Sequence, residues 1–249
     1  PKVSRFSGRP SVNIEWLGQE TGHTGDVEAI MKIGLVGYQG SGKSTLFELL
    51  SGHKPDVSKS HLGQVGITTV PDERFDKLVA FHKPKKISPA KIDLFDTPGL
   101  MKGDNTHNAQ RLGIIRESSA LAQVIAVFNG VDPVAEARAF EDDMILADLQ
   151  VVGNRIEKLK KDLLKPRPAT EKDELNAELG ALEFVVNKLN NGETLRGIPF
   201  TEVQDKATKS FALLTRKPKM VVLNTADSSV DSKQLADLHA IGITAIAGP

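Results

Sequence analysis

The stretch Met31-KIGLVGYQGSGKST-Leu46 carries an apolar run straight into a glycine-rich turn that ends in Gly-Lys-Ser-Thr. Gly37, four free positions, then Gly42, Lys43 and Ser44 match G-x-x-x-x-G-K-[ST], a loop whose backbone N–H groups wrap the β-phosphate of a nucleotide. Glycines let the main chain approach the anion closely, and a helix opening near Lys43 points the positive end of its dipole at the same place. Gln39, Gly40, Ser41 and Thr45 complete the expected nucleotide contacts. Lys43 is expected to bridge the β- and γ-phosphates, and the Ser44 hydroxyl to hold Mg²⁺. The flanks agree with this reading. Lys32 to Val36 is a β-type run, and Thr45 to Ser51 predicts a helix with Leu46, Leu49 and Leu50 on one face.

A phosphate loop needs a magnesium partner, and Lys91-IDLFDTP-Gly99 supplies one. Asp96 closes an apolar strand and Gly99 follows in a D-x-x-G arrangement, its N–H placed to contact the γ-phosphate and to switch when that group leaves. Leu100 stands where Ras-like enzymes carry a water-orienting glutamine. A leucine offers water no hydrogen bond, so hydrolysis calls for another polar group, a backbone contact or K⁺, and a slow intrinsic rate is expected. A cover over the site is the alternative role for Leu100. Met220-VVLNTADS-Ser229 places Asn224 and Asp227 in an N-x-x-D spacing. The Asp227 carboxylate could accept two hydrogen bonds from guanine that adenine cannot offer, which favours GTP; a helix-capping turn is the competing reading. Thr225 replaces the usual lysine of that motif.

Outside these motifs the chain gives an organisation rather than a chemistry. With 249 residues, 39% of them apolar, it suffices for one large α/β domain or a domain with an insertion. Thirty-two basic side chains balance 32 acidic ones, so no global charge points to nucleic acid. The absence of cysteine excludes disulfides and thiolate metal sites and is compatible with a cytoplasmic protein. No apolar stretch approaches the roughly 20 residues of a membrane span, and residues 1–30 lack the apolar segment of a signal peptide. They read as an N-terminal extension or tag, with Met31 a candidate natural start. A lone Trp16 in that polar arm is more often a packing anchor than a ligand platform.

Apolar runs at 32–36, 65–70, 91–95, 124–128, 220–223 and 243–246 alternate with helical segments, the rhythm of a doubly wound, mostly parallel sheet. The rhythm breaks once. Leu149, Val152, Ile156, Leu159 and Leu163 form one apolar seam; after Pro166 and Pro168, Leu175, Leu179, Leu182, Val186 and Leu189 form another. The spacing predicts an antiparallel coiled-coil hairpin over 133–213, inserted into a nucleotide-binding domain made of 31–132 and 214–249. Lys158, Lys160, Lys161, Lys165 and Arg167 cluster towards its tip, either as an RNA-facing patch or as a solvated face interleaved with Glu157 and Asp162. His53, His61 and His82 are scattered and His107 falls in the polar loop after Gly99, so the histidines form no metal set.

Taken together, these residues resemble the YchF or Obg-like ATPase family of P-loop GTPases over most of 31–249. VPDERFDKL at 70–78, DTPGLMKG at 96–103, Asp132-Pro133, ILADLQVV at 145–152 and LLTRKP at 213–218 look like that family's segments. The resemblance implies a Ras-like fold and a Mg²⁺-dependent purine nucleoside triphosphatase. It further implies contact with the ribosome or RNA through the hairpin and a C-terminal TGS domain that does not occur in this sequence. It puts the switch I hydroxyl for Mg²⁺ at Ser60, with Thr68 or Thr69 as alternatives. The family's usual P-loop centre, proline-asparagine-valine, is here Gln39-Gly40-Ser41, and a glutamate commonly found where Asp227 stands accompanies a preference for ATP. GTP and ATP therefore both remain candidates, and a monomer is expected. The rival from another class is a non-catalytic nucleotide-binding or sensing module.

Overall fold

The computed structural model describes residues 31–225 and 232–248. A six-stranded sheet runs in the order β2 (Gln64–Thr69), β3 (Lys91–Asp96), β1 (Lys32–Val36), β4 (Ala120–Ala126), β5 (Lys219–Asn224), β6 (Ala245–Gly248). Every neighbouring pair is parallel except β2 with β3, so the predicted doubly wound α/β architecture is the one observed. The fourth apolar run begins four residues earlier than its hydrophobicity suggests and gives way to a 3₁₀ turn at Val127–Asn129.

Helices cover both faces because the central strands are apolar on both. Under α1 (Lys43–Ser51) lie Leu35, Leu94 and Ala122, packed against its own Phe47. The helix is rotated from its predicted orientation: Phe47 is buried, whereas Leu49 and Leu50 are exposed. The phosphate loop sets that rotation. Lys43 must face the loop, and Phe47, one turn later, follows it into the core. On the other face, α3 (Asn105–Ile115) and the start of α4 (Pro133–Leu163) cover Val36 and Leu121 with Leu112, Ile115, Phe140 and Met144. α2 (Glu73–His82), between β2 and β3, has no buried residue.

α4 is a single helix of 31 residues that serves two cores. Asp132 caps it, accepting from the Val134 N–H at 2.9 Å, and Pro133 occupies its first turn, where a missing N–H costs nothing. Its first turns pack on the sheet. Its distal half packs Val152 and Leu159 against Leu182, Val185 and Leu189 of α5 (Ala169–Asn190), forming the helical hairpin. The chain returns through α6 (Glu202–Thr208), which carries a capping box between Thr201 and Gln204, and α7 (Ser232–Ala240) leads into β6. One buried carboxylate ties the base of the hairpin to the sheet domain. Asp148 of α4 accepts from Arg116 Nη1 at 2.6 Å, the Leu214 and Thr215 N–H groups at 3.1 and 2.9 Å, and the Thr215 hydroxyl at 2.8 Å.

Candidate functional site

The loop between β1 and α1 lies at the carboxyl edge of the sheet, where open α/β folds place their ligands. Gly42 caps α1 in the left-handed region at φ 95°, a conformation that a side chain would strain, and the amide of Asn224 occupies the space its Cβ would need. That amide donates to Ser41 O at 3.0 Å, so β5 braces the phosphate loop through Asn224. Since α1 begins at Lys43, the N–H groups of its first turn, Ser44 and Thr45 among them, have no acceptor within the helix and converge on the loop's mouth. Gln39 and Ser41 differ. Their N–H groups donate to Leu100 O at 2.8 Å and Tyr38 O at 3.3 Å, so in this arrangement both are committed inside the protein.

Lys43 is buried and folds back over the loop, donating to Tyr38 O at 2.8 Å and to Ser41 Oγ at 3.3 Å. Burial pushes its ammonium down to about 8, with the Asp96 carboxylate opposing the change. Beside it, Ser44 Oγ donates to Asp96 Oδ2 at 2.8 Å. The second carboxylate oxygen, Asp96 Oδ1, is buried with no hydrogen-bond partner. Burial raises the carboxyl group above the usual range, against the Ser44 bond and the Lys43 charge. A hydroxyl, a carboxylate and an orphaned oxygen at the rim of a phosphate loop fit Mg²⁺, which takes few protein ligands and keeps its phosphates and waters. The residues do not fit a metal caged by the protein: among the described residues no group of three or more His, Asp or Glu could hold an ion.

A cavity of about 520 Å³ opens over this pair, walled by Gly40, Lys43, Ser44, Asp96 and Gly99. Ser60 also lines it, on the exposed loop before β2, so the switch I candidate shares the cavity with Ser44 and Asp96. Thr68 and Thr69 lie elsewhere. They pair with Ile92 and Lys91 at the opposite end of β3 from Asp96, and the Thr68 hydroxyl donates to Leu50 O. A Cβ on Gly99 would stand 2.9 Å from both Lys43 Nζ and Gln39 Cα, so only glycine lets this turn approach the loop so closely.

Leu100 is not a cover. Its N–H donates to Gly37 O at 3.0 Å, its carbonyl takes the Gln39 N–H, and its side chain is buried beneath the loop with Val36, Tyr38, Phe140 and Met144. Apolar character is what that position demands. Polar groups do face the cavity, from α3: His107, Gln110 and Arg111, which helical spacing sets on one face. His107 belongs to the first turn of α3 rather than to a loop, because Asp104 caps the helix by accepting the His107 N–H at 3.1 Å. An Asp followed three residues later by a helix-compatible run was the available sequence signal. Asp227 and residues 1–30 lie outside the described residues. Three of the five basic residues near the hairpin tip are engaged with acids: Lys160 with Glu183, Lys165 with Asp162, and Arg167 with Asp162 and Glu171.

Residues 32–164 match the family model described as 50S ribosome-binding GTPase. The ribosome-binding ATPase YchF of Mycoplasma genitalium is 31% identical over 81% of this chain and 58% of its own length. Obg-like ATPase 1 of Oryza sativa is 27% identical over 96% of this chain and 63% of its own. Among solved structures, the YchF GTPase of Schizosaccharomyces pombe aligns with a TM-score of 0.66 at 26% identity, covering 87% of this chain and 65% of that one. The chain thus spans less than two thirds of the length of these relatives. By the family model over 32–164 and the 31% identity across 81% of its length, the chain belongs to the ribosome-binding GTPase family, in its YchF and Obg-like branch.

Proposed function

We propose that this chain binds a purine nucleoside triphosphate with Mg²⁺ and cleaves the β–γ bond by attack of water, its two nucleotide states biasing the turns around Ser60 and Gly99. The observation that carries the reading is the Ser44–Asp96 pair with its orphaned oxygen, facing the cavity that Lys43 and Gly99 share. Ser44, Asp96 and Ser60 would hold the metal, which supplies neutralisation of charge on the β- and γ-oxygens. Lys43 leaves Tyr38 O for the phosphates, and the free amides of the first turn of α1 take the remaining oxygens.

The test is single-turnover phosphate release, with and without K⁺, alongside measured nucleotide affinity. Release above the buffer blank is expected; tight binding without release would favour the second reading, a sensing module, which the burial of Leu100 supports because no glutamine stands there. The base is assigned separately. Asp227 favours guanine, and Asp227→Glu is expected to shift preference towards ATP; titrations in which both proteins rank the two nucleotides alike would overturn that assignment.

Relatives named for ribosome binding, and a long hairpin carrying Lys158 and Lys161 beyond its paired cations, support action at the ribosome in the cytoplasm as a monomer. No helix among the described residues is long and apolar enough to cross a membrane. Co-sedimentation with ribosomes, weakened in Lys158→Glu/Lys161→Glu, checks the hairpin's part; equal sedimentation of both proteins would refute it.

A further inference from the structure

Burial of Leu100 leaves the attacking water without the glutamine that Ras-like enzymes use, so a polar group must come from elsewhere on the cavity wall. α3 presents three: His107, Gln110 and Arg111. Only one of them is oriented from behind by a carboxylate. His107 Nδ1 lies 2.8 Å from Asp104 Oδ2 and 3.0 Å from Oδ1. The same carboxylate accepts the His107 backbone N–H, and that bond, with the imidazole contact, holds Asp104 below the usual carboxylate range. An ionised carboxylate can only accept, so Nδ1 carries a proton, and in the neutral ring this leaves the lone pair on Nε2. By contrast, Arg111 donates to Asn108 Oδ1 and has no acceptor site to offer water.

Resting on the hydrolytic reading above, we propose that His107 is a catalytic residue, positioning the attacking water through Nε2, and that Asp104 is its positioning residue. The water oxygen forms the new bond to the γ-phosphorus as the bond to the β–γ bridging oxygen breaks. The bond's electron pair stays on the departing diphosphate. The water proton passes to Nε2 and leaves from there to the phosphate product, returning the imidazole to its starting form. A carboxylate that fixes one ring nitrogen and frees the other is the arrangement by which histidine serves as a general base.

The experiment uses the full chain with Mg²⁺ and each purine triphosphate. Single-turnover phosphate release is measured for wild type, His107→Ala, Asp104→Asn and Gln110→Ala, with affinity read independently by a fluorescent nucleotide. The His107 side chain is 69% exposed, and asparagine caps a helix as well as aspartate does, so both variants keep the fold. His107→Ala is expected to slow release about 100-fold with affinity kept within about twofold. Asp104→Asn is expected to slow it about tenfold, and added imidazole to restore part of the His107→Ala rate. Nitrogen-15 spectra of labelled histidine should show the Nδ1–H tautomer in wild type and its loss in Asp104→Asn. Release by wild type that His107→Ala leaves within threefold, or a comparable loss in Gln110→Ala alone, overturns this assignment and leaves the hydrolytic reading standing. No release from wild type, with binding intact, overturns both.

Discussion

Two aspartates, Asp96 and Asp148, are both buried, yet one is surrounded by donors and the other is left short. Asp148 receives an arginine, two backbone N–H groups and a hydroxyl, so its carboxylate is neutralised and fully hydrogen-bonded inside the fold. Asp96 receives one serine hydroxyl, and its other oxygen has nothing. A buried acceptor without a donor costs on the order of 1–3 kcal/mol, a cost that a metal ion at the cavity would relieve. The first carboxylate joins the hairpin to the sheet domain; the second faces the cavity with one oxygen left for the proposed metal.

That contrast breaks most forcefully at Asp148. Asp148→Ala leaves the Arg116 charge without its carboxylate, with only backbone carbonyls to accept from it, and strands two N–H groups; it should lower unfolding free energy by about 3–5 kcal/mol in denaturant titration. Nucleotide affinity of the fraction that stays folded should be unchanged; a loss below 1 kcal/mol would mean that the network is not what holds the hairpin's base. Lys43→Ala comes next. Triphosphate affinity should fall by at least about 100-fold, roughly 3 kcal/mol, while the melting temperature holds or rises because a buried cation has been removed. Equal affinity in titration calorimetry would refute the assignment of the loop.

Asp96→Asn sharpens the comparison on its other side. Affinity in Mg²⁺ should drop about 10–100-fold, affinity in excess chelator should not change, and stability should be flat or slightly higher, unlike Asp148→Ala. The smallest effect is on pH. Lys43 titrates near 8 in the folded protein, against an ordinary value of 10.5. Between those values the unfolded chain binds more protons than the folded one, so stability rises with pH over that window. Nucleotide binding has the opposite slope. A triphosphate favours the charged lysine, so affinity should fall with pH above 8, by up to about tenfold per unit, and the fall should vanish in Lys43→Ala. A flat affinity profile from pH 7 to 10 would show that the lysine stays charged in the free protein.

The phosphate loop, the strand ending in Asp96 and the two hairpin seams were legible because each rests on contiguous chemistry: a fixed spacing of glycine, lysine and serine, or an apolar repeat. The helix after the loop was harder. Leucines at 46, 49 and 50 advertise one face, but Lys43 is anchored to the loop and rotates Phe47 inward instead. Leu100 had two readings on paper, and only its bridge to Tyr38 shows that the side chain goes beneath the loop. The four donors that meet at Asp148 lie up to 67 residues from it along the chain and on both sides of it, a convergence that no local pattern announces.

Sequence alone determined that this chain holds a phosphate loop and a distant carboxylate suited to a metal, since backbone conformation, charge and hydroxyl chemistry follow from residue type at a given spacing. Tertiary structure decided which groups face the cavity: that Leu100 turns away, that His107 turns towards it with Asp104 behind, and that Asp96 keeps one oxygen without a donor. The reason is physical. Side-chain identity fixes what a group can do, but its surroundings fix whether its hydrogen-bonding capacity is already spent, and those surroundings are assembled only when distant strands and helices pack.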